Sequence, residues 1–166
     1  MNTLGHPLLH RYLGWPVVLD SNLLLLHWCG SFDPSLVRTF KRLNAFVPND
    51  LFLLTRILEV LGELRTTPHV LAEVSNLANS LPLWRKSAWS IHISDGIKLI
   101  QEFYEPASTI MSHCGMAEFG LTDAALERLA ADHVILTIDW HLASMLNSCG
   151  LAGINFKHLR PGGILA

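Results

Sequence analysis

The sequence is poor in charge and in cysteine, and both shortages exclude classes of protein. Only 16% of its 166 residues are Asp, Glu, Lys or Arg while 50% are hydrophobic, which excludes an intrinsically disordered chain. Its three cysteines form no CxxC pair, so neither a disulfide scaffold nor a zinc ribbon is indicated, and we expect reduced, buried thiols. The composition predicts a globular domain with a large apolar core and some apolar surface left for a partner.

Signals for membranes and secretion are also lacking. The first ten residues have no basic start followed by a long apolar segment, so we expect no signal peptide. The most apolar run, residues 17–29, is interrupted by Asp20, Asn22 and His27 and falls short of the ~20 apolar residues of a membrane span. We therefore predict a cytoplasmic protein with no membrane partner.

The chain has no strong excess of positive charge. A net charge of −2 argues against a general nucleic-acid coat protein. However, four carboxylates are proposed below as metal ligands. Without these four negative charges, the net charge of the remaining residues is positive (−2 + 4). Modest RNA binding is therefore permitted.

Strand-like and helix-like segments alternate along the sequence. Short apolar or β-branched runs predict strands, and amphipathic segments between them predict helices; the strand runs are residues 16–19, 64–67, 134–138 and 153–156. This alternation predicts an α/β fold, a three-layer sandwich with a central parallel sheet of about four or five short strands flanked by helices. We expect one domain over residues 1–166, with its core at about 16–156 and a helical insertion at about 33–63.

Three less regular features are predicted as well. Residues 81–104 are expected to be helical but broken near Ser94-Asp95-Gly96, since glycine weakens a helix. The connection after residue 104 is expected to hold a strand around Thr109–Met111. Thr122 is expected to be the N-cap of the next helix.

Four acidic residues occupy positions where α/β folds keep their sites. Asp20 and Asp139 directly follow buried strands, and Glu73 and Asp123 lie in or near the first turn of a helix. The carboxyl ends of parallel strands and the helix starts face one crevice, so we expect these side chains to meet. Carboxylates brought together repel each other unless a divalent ion compensates, and oxygen-only ligands select Mg²⁺ or Mn²⁺. The pattern predicts a catalytic metal site made by all four.

Two polar residues are predicted to support this site from outside. Asn22 and Thr137 are close in sequence to the first and last acids and are expected to orient a carboxylate or a water by hydrogen bonds. Capping or a buried hydroxyl bond explains either residue nearly as well.

Four motifs together resemble those of the PIN-domain nucleases. Their sequences are Asp20-Ser21-Asn22, Thr-Pro-His-Val-Leu-Ala-Glu-Val at 67–74, Phe-Gly-Leu-Thr-Asp-Ala-Ala at 119–125 and Ile-Leu-Thr-Ile-Asp at 135–139. They occur in the order that the family has. The resemblance implies a PIN-like parallel sheet, a Mg²⁺ or Mn²⁺ site and hydrolysis of single-stranded or structured RNA. It also implies a toxin of a toxin–antitoxin pair, with an antitoxin protein and a second copy of the chain as partners.

Other interpretations stay open on the sequence alone. A catalytically silent PIN-like module that binds RNA or protein is the main alternative. A Rossmann-like binder is disfavoured because no GxGxxG follows the first strand. Stacking of bases on Trp84 and Trp89, an extra ligand from Glu118 and a zinc site are weaker possibilities, the last using His113, Cys114 and Cys149. For Asp123 alone, interaction with the helix dipole would be explanation enough.

Overall fold

The structure, a computed structural model, describes residues 6–112 and 120–161. These residues form an all-parallel, five-stranded sheet in the order β3-β2-β1-β4-β5, flanked by helices. The strands are β1 (Val17–Leu19), β2 (Leu64–Thr66), β3 (Gln101–Glu102), β4 (Val134–Thr137) and β5 (Gly153–Asn155). The predicted α/β sandwich with a parallel central sheet is confirmed.

The helices follow the strands along the chain. They are α1 (Pro7–His10), α2 (Ser21–Phe32), α3 (Leu36–Thr39), α4 (Pro48–Leu58), α5 (Pro68–Ala78), α6 (Leu83–Lys98), α7 (Ala107–Ser112), α8 (Leu121–Leu129) and α9 (Trp140–Ser148). No helix within residues 6–112 and 120–161 is both long and apolar enough to cross a membrane.

The central strands are buried because both faces of the sheet are covered. Every residue of β1, β4 and β5 is buried, as expected for parallel strands between two helical layers. Strand β1 pairs with β4 in a register that sets Leu19 opposite Leu136, and the Asp20 N–H continues the ladder to the Leu136 carbonyl at 2.9 Å. The residues that follow β1 and β4 are therefore neighbours at one edge of the sheet.

The segment at 33–63 is helical, as predicted, but it packs into the same core as the sheet. It contains α3, a 3₁₀ turn at Lys41–Leu43 and α4. Asp50, in the first turn of α4, accepts two hydrogen bonds of 2.8 Å from the guanidinium of Arg160. This carboxylate is buried, so the ion pair fastens the segment to the last described turn of the chain.

Three predictions for the less regular segments are wrong. Helix α6 continues through residues 94–96. Gly96 has a packing role there: a Cβ added to it would come within 3.1 Å of the Trp28 ring nitrogen, so the glycine lets α6 approach Trp28 closely. The region of the predicted strand at Thr109–Met111 is instead helix α7, which starts directly after Pro106.

The start of α8 is the third correction. Its N-cap is Gly120, and Thr122 already lies inside the helix. Leu121 takes the first helical position because its side chain packs against a small cluster around Ile110 and Ala124. The packing of an apolar residue therefore sets the boundary, and the capping hydroxyl does not.

Candidate functional site

Asp20 is the most buried of the four predicted acids. It follows β1 and caps α2, where one carboxylate oxygen accepts the Leu23 N–H at 2.8 Å. The other oxygen accepts the Ile138 N–H at 3.0 Å and the Thr137 hydroxyl. Burial raises the pKa of Asp20 and the Glu73 charge adds to the rise, whereas the three hydrogen bonds oppose it; the net direction is upward.

Asp139 follows β4 and caps α9. Its Oδ1 accepts the His141 N–H at 2.7 Å and the Leu142 N–H at 3.3 Å. Its own N–H donates to the Thr137 hydroxyl at 2.9 Å. Thr137 therefore links the two aspartates, donating to Asp20 and accepting from Asp139, which is the kind of contact that the sequence predicts for it.

Glu73 comes from α5, the helix that packs against α2. It lies in the second turn of α5, one turn later than the first-turn position considered from the sequence. The Ser21 hydroxyl donates to Glu73 Oε2 at 2.8 Å and so joins this acid to the residue next to Asp20.

Ser21 is the residue that sequence reasoning missed. In the sequence it is only the middle residue of Asp20-Ser21-Asn22, a motif in which Asn22 is the residue predicted to support the site. The Asn22 side chain is half-buried and has no hydrogen-bond partner among the described residues. The hydroxyl one position earlier makes the contact.

Asp123 is influenced electrostatically by the other three acids. It lies in the first turn of α8, as predicted, and its pKa is raised to about 6. Burial is the largest cause, followed by the negative charges of Asp139, Glu73 and Asp20. The three other carboxylates therefore lie close enough for their charges to disfavour ionisation of Asp123.

The donor set fits a hydrated hard cation. All four predicted ligands offer only carboxylate oxygen, and hydrogen bonds already fix the orientation of the Asp20 carboxylate. Within the part of the chain that the structure describes, however, no three or more His, Cys, Asp or Glu side chains form a group that could hold a metal ion, so the four acids do not make a closed ligand set. Mg²⁺ keeps several waters and often takes only one or two carboxylates directly, so this open arrangement suits it.

The other sequence candidates lie elsewhere. Trp89 is buried, and Trp84 lies beside Arg85, which pairs with Asp33 at the far end of α2, about 18 Å of helix from Asp20. The predicted extra ligand Glu118 and the zinc candidates His113 and Cys114 fall outside the described residues. Burial raises the pKa of Cys29 to about 12, as expected of a buried thiol, whereas Cys149 is exposed and the prediction of a buried thiol is wrong there.

Comparisons with known proteins do not assign a function to this site. No protein-family model, curated protein or solved structure matches the chain. The functional argument therefore depends on the geometry of the acids and on the four sequence motifs that contain them.

Proposed function

We propose that this protein is a metal-dependent endoribonuclease of the PIN type, which hydrolyses phosphodiester bonds in RNA. The observation that carries the proposal is the Thr137 hydroxyl, which links Asp20 and Asp139 at the carboxyl edge of the parallel sheet, with the charges of Glu73 and Asp123 acting on the same region. Burial, and after it the negative charges of the other three acids, raise the pKa of Asp123 to about 6, and a cation would relieve the part of this cost that comes from repulsion. Carboxyl groups whose pKa is strongly raised by burial and by neighbouring charges are typical of functional sites.

In this proposal, Asp20, Glu73, Asp123 and Asp139 hold Mg²⁺ or Mn²⁺ directly or through water. A bound ion of this type supplies activation of water and neutralisation of charge on the phosphoryl group. Asp20 is the fixed point, because three hydrogen bonds hold its carboxylate. Ser21 keeps Glu73 turned towards it. The choice of RNA as the substrate rests on the resemblance of the four sequence motifs to those of PIN-domain nucleases.

The activity is tested by incubating the purified protein with end-labelled single-stranded RNA and Mn²⁺. We expect internal cleavage that EDTA abolishes and that the D139N variant loses. The matched control is D95N, which removes an exposed carboxylate on α6 that pairs only with Lys98 in the described residues. Equal degradation by wild type and D139N would assign the cleavage to a contaminant and overturn the proposal.

A second candidate is a catalytically silent module that binds RNA or protein. It is favoured by the lack of a ready-made group of three metal-ligating side chains in the described residues. In that case the wild-type protein would bind labelled RNA without cutting it in Mn²⁺, and D139N would bind it at least as well. Cleavage by wild type alone would decide for the enzyme.

Partners form a further part of the proposal. Large apolar side chains are exposed on and just after α6, namely Leu83, Trp84, Ile91 and Leu99. Such a surface supports a homodimer or an antitoxin protein. Light scattering tests the dimer. Induced expression in bacteria tests the toxin: growth should stop with wild type and continue with D139N.

A further inference from the structure

A groove of about 410 Å³ lies beside the acids, between α1, α9 and β5. Trp140, the residue directly after Asp139, forms part of its wall. On the sheet side, Asn155 lines the groove and pairs in register with Thr137, the residue that holds Asp20 and Asp139. The groove is therefore one strand away from the candidate metal site.

Trp140 offers an open aromatic face to this groove. Trp140 is 55% exposed, at the start of a helix whose buried face consists of Leu142, Ala143 and Leu146. The neighbouring His141 ring lies with its centroid 6.1 Å from that of Trp140. Packing does not account for an exposed indole at this position, whereas stacking of a planar ligand would.

The charge of the groove is opposite to that of the acid site. Arg11 and His158 line it, and none of the described lining residues is Asp or Glu, in a protein with a net charge of −2. The Arg11 guanidinium lies 5.5 Å from the centroid of the Tyr12 ring and has no carboxylate partner among the described residues. A cation without a counter-ion is thus available for a phosphate.

The remaining wall combines apolar surface with hydrogen-bonding groups. Ser144 on α9 presents an exposed hydroxyl, and the Asn155 amide lies at the end of β5. The volume is at the lower end of the range of small-molecule sites. Its size, aromatic wall and positive charge match one nucleotide.

We infer that this groove binds one nucleotide of a single-stranded RNA, with the base stacked on Trp140 and a phosphate beside Arg11. This inference rests on the proposed function and makes its substrate class specific. A base inside a duplex cannot present its face to a side chain, so the groove selects unpaired RNA over structured RNA. Since Trp140 is adjacent to Asp139, the stacked nucleotide leads the next phosphodiester towards the acids.

Binding is measured in EDTA, where no metal-dependent cleavage occurs, by fluorescence anisotropy of a short labelled oligoadenylate. We expect W140A to bind about 5- to 150-fold more weakly, the range for loss of one base–aromatic stack. W140F should recover most of the affinity because it keeps an aromatic face. F52A, which removes an exposed aromatic side chain on α4, should bind like wild type. The affinity of R11Q should depend less on salt: its slope of log affinity against log salt should be less negative than that of wild type by about 0.7.

The outcomes separate this inference from the proposed nuclease. If W140A binds RNA like wild type, or if wild type binds no oligoadenylate, the inference is overturned. If W140A changes the oligomeric state in light scattering but not the RNA affinity, the groove is a protein interface and the inference is again overturned. If RNA binding depends on Trp140 but the RNA is not cleaved in Mn²⁺, the result supports nucleotide binding in the groove and refutes the proposed nuclease activity.

Discussion

The Thr137 hydroxyl donates a hydrogen bond to the Asp20 carboxylate across 117 residues of sequence. The contact exists because β1 and β4 are neighbouring parallel strands that end at the same level. Thr137 is fully buried and also accepts the Asp139 N–H, so one hydroxyl sets the positions of two acids. The candidate site is therefore built into the centre of the sheet.

Replacing Thr137 by valine should damage both stability and activity. T137V keeps the volume but leaves the Asp139 N–H without its partner and removes one of the two hydrogen bonds to Asp20 Oδ2, which costs about 1–3 kcal/mol of unfolding free energy. Cleavage should fall by about 10- to 100-fold, since outer hydrogen bonds hold metal ligands in place. Urea unfolding and RNA cleavage measure the two effects. T137S keeps the hydroxyl and should retain most activity; equal loss in both variants would contradict this role.

The hydrogen bond from Ser21 to Glu73 leads to a second prediction. S21A should weaken the apparent affinity for Mn²⁺ in cleavage by about 10- to 100-fold, because Glu73 loses its only hydrogen bond to a described residue. Its unfolding free energy should change by no more than about 1 kcal/mol.

The controls for Ser21 are two further variants. S80A removes an exposed hydroxyl that bonds only the Leu77 carbonyl in the described structure, and should keep the wild-type metal dependence. N22A tests the residue that the sequence favours instead. A larger loss in N22A than in S21A would show that the asparagine supports the site and that the serine contact does not matter.

Much of the sheet could be predicted because burial leaves a direct trace in sequence. The runs at β1 and β4 are continuously apolar because both faces of these strands are covered. Strand β3 left no such trace. Its two residues, Gln101 and Glu102, are exposed and are held by backbone pairing to β2, so no side-chain pattern marks them.

The same reasoning explains which parts of the site were visible. Asp20 and Asp139 could be picked out because a charged residue directly after a buried strand is uncommon, although the structure shows that each also caps the helix that follows. The Ser21–Glu73 bond joins two helices across 52 residues and depends on how α2 packs on α5, which local sequence does not record. Likewise, the packing of Gly96 against Trp28 depends on tertiary contact, so the glycine suggested a helix break that is absent from α6.

Divalent metal should stabilise the folded protein. At a Mn²⁺ concentration of about 100 times the dissociation constant, binding to the native state alone adds about 2.7 kcal/mol. We expect a clear rise in the melting temperature of wild type and a much smaller rise in D20N. D95N should respond like wild type, because Asp95 lies on α6 beside Lys98. Equal shifts in wild type and D20N would mean that the metal binds elsewhere.

The burial of Asp123 and its repulsion by the other acids predict a pH dependence of the metal-free protein. The pKa of Asp123 is about 6 in the folded state against an ordinary 3.8, so the native state binds this proton more tightly than the unfolded state does. The stability that this gives is fully present below about pH 3.8 and is lost as the pH rises through about 6. The upward shift of the Asp20 pKa acts in the same direction.

D123N should remove that loss, because asparagine carries no charge at any pH. The pKa difference corresponds to at most about 3 kcal/mol, and partial exposure of Asp123 reduces it to about 1–2 kcal/mol. In EDTA at about pH 7.5, urea unfolding should therefore find D123N more stable than wild type by that amount, with little difference at about pH 4. Saturating Mn²⁺ should reverse the order, since only wild type keeps the full set of ligands. If D123N were less stable than wild type in EDTA at both pH values, the Asp123 carboxylate would stabilise the fold. Repulsion among the acids would then not be the force that a bound cation relieves.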